Sequence, residues 1–237
     1  WYRVWKMGNL HCDDDHFIFS SEINPVLDLL GSEPKPDLQT AYDYLIHGDY
    51  DSTDHTFFDG IMHLRPASYI EYNCKTNKLS SPKKWWLPNI HQNPTISFEE
   101  AVHKVKQIFL SNVKLHLRSD VPIGAALSGG VDSSAIVGAM RYLEPEMPIH
   151  TFSYIAKGSN KSEEKWIDIV NHSIGAIEHK VIATPDELMS DLDDLIKSQG
   201  EPFGTTSIYA QYRVFKLAKE KGITVTLDGQ GADEVSG

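Results

Sequence analysis

From residue 97 onward the apolar positions switch repeatedly between two periods. Ala101, Val102, Val105, Ile108, Phe109 and Val113 recur three or four residues apart, which predicts a helix. Ser97-Phe98-Glu99-Glu100 just ahead of them is a capping box. Val121-Pro122-Ile123 and the small apolar residues behind it read as a buried strand, and the helical period resumes from Ser133 to about Leu143. The same alternation continues as a strand over 148–154, a helix over 163–173, a strand over 178–183 and a helix over 185–198 with Pro185 in its first turn. A helix over 207–221, closed by Gly222, and a strand over 223–227 complete it. Strands alternating with helices predict an α/β domain, a doubly wound parallel sheet with helices on both faces.

The first third of the chain has no such rhythm. Residues 1–23 read as short strands, Trp1-Tyr2-Arg3-Val4-Trp5 and the run from His16 to Ser21, with Asp13-Asp14-Asp15 as the turn between them. A short helix over 24–36 ends in Pro34-Lys35-Pro36, and a second over 37–47 is capped by Asp37. Thr56-Phe57-Phe58 and Ala67 to Tyr72 read as strands flanking a turn at Asp59-Gly60. The polar stretch Asn73 to Asn93 holds Pro82, Pro88 and Trp85-Trp86; it reads as a linker with the tryptophans packed against one domain. The expected division is residues 1–75, a linker over 76–96, and a second domain over 97–237.

Composition narrows the function. A formal net charge of −11 argues against a dedicated nucleic-acid binder. The local basic stretch Lys104, Lys106, Lys114, His116 and Arg118 reads as a solvated helix face. No apolar run approaches the ~20 residues of a membrane span, so no membrane partner is expected. Two cysteines, Cys12 and Cys74, form no CxxC and suggest no disulfide framework, so a cytoplasmic setting is expected. His11, Cys12 and the Asp triplet could be imagined around a metal, but three adjacent carboxylates on a strand cannot all face one ion. The chain begins without Met and stops on Gly237 directly after a glycine-rich acidic loop, which reads as a fragment of a longer polypeptide.

Two loops carry the candidate chemistry. Leu127-Ser128-Gly129-Gly130-Val131-Asp132-Ser133-Ser134 lies between a strand and a helix. Free N–H groups, the positive end of a helix and close-approaching glycines there make an anion cradle. Asp132 would repel a phosphate unless a cation lay between them, which points to Mg²⁺. Asp228-Gly229-Gln230-Gly231-Ala232-Asp233-Glu234 follows the last strand, and Asp233 is a candidate second metal carboxylate. Doubly wound sheets bind ligands beyond the carboxyl ends of their strands. Both loops, and Phe152-Ser153-Tyr154, fall at that edge.

The first loop resembles the pyrophosphatase loop of the N-type ATP pyrophosphatases. With the second loop and Glu201-Pro202-Phe203-Gly204, the sequence resembles the glutamine-hydrolysing asparagine synthetases. Upstream, Phe17-Ile18-Phe19-Ser20-Ser21-Glu22-Ile23 and Thr56-Phe57-Phe58-Asp59-Gly60-Ile61, leading through Leu64-Arg65-Pro66 to Tyr69, are similar to the end of that family's glutaminase domain. The resemblance implies an adenine nucleotide alpha hydrolase-like sheet preceded by the C-terminal part of an α+β Ntn-type glutaminase domain. It implies a ligase whose substrates are aspartate, ATP, and ammonia or glutamine, and whose products are asparagine, AMP and pyrophosphate, formed through β-aspartyl-AMP. ATP would contact Leu127, Ser128, Gly129, Gly130, Asp132, Ser133, Ser134, Phe152, Ser153, Asp228, Gly229 and Gln230. Asp132 and Asp233 would hold Mg²⁺ and act with Glu234 in catalysis. The implied partners are these small molecules, with a homodimer as the candidate assembly.

Four departures qualify the resemblance. The family's N-terminal nucleophilic cysteine has no counterpart here, since the chain begins at Trp1, so this chain is not expected to hydrolyse glutamine. The family's C-terminal helical region, which supplies a lysine for the pyrophosphate, is also absent from it. Gln230 stands where many members carry Glu, and Gly204-Thr205-Thr206-Ser207 differs from the amino-acid-binding segment of some members. A synthetase that adenylates another carboxylate, and an ATP-binding module inactive as this fragment, stay open as alternatives.

Overall fold

The computed structural model describes residues 8–13, 16–31, 33–92, 95–158 and 162–236. The strand expected over residues 1–5 and two of the three acids of the Asp triplet lie outside the described residues. The chain divides into two compact units, residues up to 92 together with 192–204, and residues 95–191 together with 205–236.

The first unit is built on three antiparallel strands, β1 (Gly8–Cys12), β2 (Phe17–Ser20) and β3 (Met62–Leu64), with β1 in the centre. Leu10 is opposite Phe19 on one side and Met62 on the other. Helix α1 (Ile23–Leu30) buries Ile23 and Val26 against Ile61, with Ile18, Leu27 and Phe58 around them. It stops at Gly31, whose φ of 62° ends the helix before the prolines expected to end it. Helix α2 (Leu38–His47) is capped as expected, with the Thr40 N–H donating to Asp37 at 2.9 Å. That backbone hydrogen bond, aided by His55, holds the Asp37 carboxyl below the usual range despite partial desolvation.

Thr56-Phe57-Phe58 does not form the expected strand. Thr56 Oγ1 reaches Ile61 O at 2.9 Å and Phe58 O at 3.0 Å, which closes a tight loop instead. The polar stretch that follows is not a plain linker. Strands β4 (Ser68–Tyr69) and β7 (Lys83–Lys84) pair antiparallel, as do β5 (Tyr72–Asn73) and β6 (Lys78–Leu79). Trp85 and Trp86 are 68% and 53% exposed, so the expected packing of the two tryptophans is corrected. Residues 192–204 complete this unit. Asn24 Nδ2 donates to Lys197 O at 2.7 Å, Tyr44 Oη to Phe203 O at 2.8 Å, and the Phe57 N–H to Glu201 Oε1 at 2.9 Å.

The second unit contains α3 (Phe98–His116), β8 (Ile123–Ala126), α4 (Val131–Leu143), β9 (His150–Tyr154), α5 (Glu164–Ile174) and β10 (Ile177–Val181). Then follow α6 (Pro185–Gln199), whose later residues belong to the first unit, α7 (Ser207–Glu220), β11 (Val225–Leu227) and α8 (Ala232–Ser236). The four strands form one parallel sheet in the order β10-β9-β8-β11. The expected parallel, doubly wound α/β sheet is therefore present. Its central strands β8 and β9 are largely buried because both faces are covered, whereas the edge strand β10 (Ile177–Val181) is more polar and more exposed. On one face Leu127, Val137, Met140, Ile149 and Ile167 form a core with α3, α4 and α5; on the other, Phe152 and Val181 pack with Val214 and Ala218 of α7.

The capping box at the start of α3 is present in both directions, Glu100 N–H to Ser97 Oγ at 3.2 Å and Ser97 N–H to Glu100 Oε2 at 3.1 Å. Only the second half of that helix meets the core, through Phe109, Leu110 and Val113. Val102, Val105 and Ile108, three of the helically spaced apolar residues, are exposed.

Candidate functional site

The strand order runs outward from β8 to β9 and β10, then returns to place β11 on the other side of β8. The crevice of such a sheet opens where the order reverses, here between the carboxyl ends of β8 and β11. Leu227 is opposite Ala125 in the ladder, so the two distinctive loops leave adjacent strands side by side.

The first loop is held by its own hydroxyls. The Ser128 N–H donates to Ser133 Oγ at 3.2 Å, the two serine hydroxyls are 3.0 Å apart, and the Gly130 N–H donates to Ser128 Oγ at 3.2 Å. Gly129 takes φ 88°, and a Cβ there would stand 3.2 Å from Glu163 O; glycine is required by both conformation and space. Gly130 precedes α4 and offers no capping side chain, which leaves the first-turn N–H groups for an anion. In the second loop the Gln230 N–H donates to Asp228 Oδ1 at 3.0 Å and Gly231 takes φ 89°. These turns lead into α8, which carries Asp233 and Glu234 in its first turn. The loops meet backbone to side chain: a Cβ on Gly229 would lie 2.9 Å from both Asp132 Cβ and the Ser133 nitrogen.

A cavity of about 690 Å³ opens over this junction. Leu127, Ser128, Gly130, Asp132, Ser133, Phe152, Asp228, Gly229, Gln230, Asp233 and Glu234 all line it. Gly129, Ser134 and Ser153 do not. Ser153 is fully buried and its hydroxyl has no hydrogen-bond partner among the described residues. It shares a face of β9 with Thr151, whose hydroxyl donates to Asn171 of α5, and alternation sends Phe152 the other way. Sequence reading missed Glu163 and the wall made by α7, where Ala210, Gln211, Val214 and Phe215 line the cavity. The spacing of these four positions is that of one helix face, which is the signal that could have found them.

The α7 wall is fixed from behind by an ion network. Asp191 of α6 accepts from Tyr209 Oη at 3.0 Å, Arg213 Nη1 at 3.0 Å and Lys216 Nζ at 2.6 Å, and Arg213 Nη2 donates to Glu187 at 2.8 Å. Burial pushes the Asp191 carboxyl up, but the hydrogen bonds from Lys216 and Tyr209 and the two positive charges outweigh it, so it stays below the ordinary range. Arg213 holds Glu187 low in the same way, and the hydrogen bond to Asp191 raises Lys216.

Among the described residues no group of three or more His, Cys, Asp or Glu side chains is arranged to hold a metal by itself. Asp132 and Asp233 in one cavity make a smaller set. It suits Mg²⁺, which takes one or two protein carboxylates and completes its octahedron with phosphate and water.

Fold and loops together define a doubly wound α/β protein with a glycine- and hydroxyl-rich strand-to-helix loop at its topological switch point. Comparison with known sequences is specific: the asparagine synthase profile matches residues 104–237, and this chain belongs to that family. It is 27% identical over 234 residues to glutamine-hydrolysing asparagine synthetase 3 of Bacillus subtilis, covering 93% of this chain and 37% of that protein. It is 32% identical over 150 residues to glutamine-hydrolysing asparagine synthetase B of Escherichia coli, covering 57% and 26%. Amidase chry2 of Gibberella zeae is 25% identical over 201 residues, covering 78% and 29%. The chain spans less than half the length of these curated relatives.

Proposed function

We propose that this cavity binds ATP and serves ATP-dependent amide formation, with aspartate as the acid and ammonia, free or released from glutamine, as the nitrogen donor. The observation that carries the reading is the close approach of Gly229 to Asp132 and Ser133. It joins a hydroxyl- and N–H-lined cradle to a second acidic loop over one cavity. What further supports it is membership of the asparagine synthase family and the names of the synthetase relatives.

In this reading Ser128, Gly130 and Ser133 receive the phosphates, with Gly129 giving the loop its shape and Ser134 the next turn of α4. The backbone near Leu127, Phe152 and Gly229 borders the adenine. Asp132 and Asp233 would hold Mg²⁺, which adds the positive charge that the phosphates need beside two carboxylates. The aspartate side-chain carboxylate attacks the α-phosphorus, the bond to the β-phosphate oxygen breaks, and pyrophosphate leaves with that electron pair. Ammonia then attacks the acyl carbon of β-aspartyl-AMP, AMP departs, and the nitrogen gives up a proton. The cradle's donors stabilise the charge on the leaving pyrophosphate; no side-chain nucleophile from this unit is needed. Residues 1–75 are read as the C-terminal part of a glutaminase-like domain.

A second reading is an adenylating synthetase for a different carboxylate. It is favoured by Gln230, which places a neutral amide in the acidic loop, and by the likeness to an amidase. A pyrophosphate-release assay with ATP, Mg²⁺, ammonia and a panel of carboxylic acids tests both. Strong stimulation by aspartate alone is the expected result. Stimulation by another acid instead selects the second reading, and release with no acid dependence overturns both.

A further inference from the structure

The wall that α7 contributes to the cavity is apolar except at one position. Val214 and Phe215 pack with Ala126, Phe152 and Tyr154, and all five line the cavity, an apolar surface on which a flat ring can lie. Gln211 lies three and four residues before them, hence on the same helix face one turn earlier, and it lines the cavity. It is half-buried. Its amide makes no hydrogen bond to another described residue, whereas Tyr209, Arg213 and Lys216 on the same helix are all engaged by Asp191.

A side-chain amide beside that apolar surface presents an NH2 donor group and an acceptor oxygen in one plane. That pair matches the edge of adenine, whose exocyclic N6 amine donates beside a ring nitrogen that accepts; side-chain amides read adenine in this way in nucleic acids. A half-buried amide with no partner among the described residues is available to a ligand that reaches this wall. We propose that Gln211 is a specificity-determining residue that hydrogen-bonds the N6 edge of the base, and so selects adenine among purine nucleoside triphosphates. The proposal rests on the ATP reading of this cavity and adds to it the residue that recognises the base.

The test uses calorimetric binding to the 237-residue chain with three probes: ATP, purine riboside triphosphate, which lacks only the N6 amine, and inorganic pyrophosphate. The chain should bind ATP about tenfold more tightly than the riboside analogue, the worth of one or two hydrogen bonds. Gln211→Met keeps the volume of the side chain and removes both hydrogen-bonding groups. It should weaken ATP about tenfold, leave pyrophosphate binding unchanged and bring the ratio of ATP to analogue close to one. Unchanged pyrophosphate binding also certifies that the variant is folded. Gln211→Glu, nearly the same shape, keeps the acceptor for N6 but loses the donor, and should keep part of the preference for ATP over the analogue. A wild-type preference for ATP that survives Gln211→Met overturns the role of Gln211. A wild-type chain that binds neither ATP nor pyrophosphate overturns the nucleotide reading itself, a distinct outcome.

Discussion

Gly229 leaves no room for a side chain beside Ser133: a Cβ on it would stand 2.9 Å from the Ser133 nitrogen. The two residues come from loops that follow neighbouring strands, and this close approach sets the width of the crevice between them. Gly229→Ala must therefore push the loops apart or bend the start of α4, at about 1–3 kcal/mol for an overpacked site. The expected outcome is a fall in pyrophosphate and ATP affinity of about tenfold or more, with the helix content by circular dichroism unchanged. Normal affinity in that variant would show that the two loops do not share a ligand.

Asp132→Ala removes one of the two carboxylates assigned to Mg²⁺. In calorimetry at matched concentrations, Mg²⁺ should strengthen ATP binding to the wild-type chain and should do so little or not at all in the variant. A Mg²⁺ effect of equal size in both proteins would remove Asp132 from the metal assignment.

Asp191 is the hub behind the α7 wall, with its side chain 8% exposed and three donors upon it. Asp191→Ala takes the acceptor from the buried Tyr209 hydroxyl and one of the two carboxylates from Arg213. It should lower stability in urea by about 2–4 kcal/mol, toward the low end because Lys216 is well exposed. The sign with pH follows from the depressed carboxyl. Below the ordinary Asp value of about 3.9 the unfolded chain takes up the proton first, so the contribution is complete above that pH and is lost as the pH falls through the lower folded value. Wild-type stability should fall more steeply than that of Asp191→Asn on acidification below pH ~4.

His150 and His179 lie side by side on β9 and β10, with Nδ1 and Nε2 3.0 Å apart, and the His179 ring stacks on Phe152 at 4.8 Å. Burial, then His150 and Lys221, hold the His179 imidazole below its ordinary value. His63 in the first unit is also depressed, by burial above all, and its Nδ1 has no partner among the described residues. A base that resists protonation when folded binds fewer protons than it does when unfolded, so stability is full above about pH 6.5 and falls below it. Melting temperature should drop between pH 7 and pH 5, and His179→Gln should flatten part of that slope. An unchanged slope would show that His179 titrates alike in both states.

Much of the second unit was legible because its signals are local. Ser97 and Glu100 lie three residues apart and cap each other whatever surrounds them. Ser128-Gly129-Gly130 between an apolar run and a helical one can hardly be anything but a strand-to-helix turn. What escaped was decided by distant neighbours. Val102 and Val105 have helical spacing, but periodicity cannot say how far along α3 the core extends. Trp85 and Trp86 look like packing residues by size alone, yet they are exposed. Glu201 and Phe203 are engaged by Phe57 and Tyr44, partners about 150 residues away, and no local pattern announces that. In the site, the glycine loops were readable from their chemistry. The α7 wall was not, because Gln211 and Phe215 belong to an ordinary amphipathic pattern until the opposing strands are known.

The pairing of β11 with β8 has a consequence for how the molecule comes to function. Val225 meets Ile123 from about a hundred residues further along the chain, whereas β8, β9 and β10 each join a strand close by in sequence. Closing a long loop costs more entropy than closing a short one, and long-range contacts form late. The cradle can therefore assemble with its nearest strands while the acidic loop is still elsewhere, and the cavity is completed by the last strand to arrive. In refolding, recovery of nucleotide binding should lag recovery of helix content, which makes ligand capture a reporter of the finished sheet.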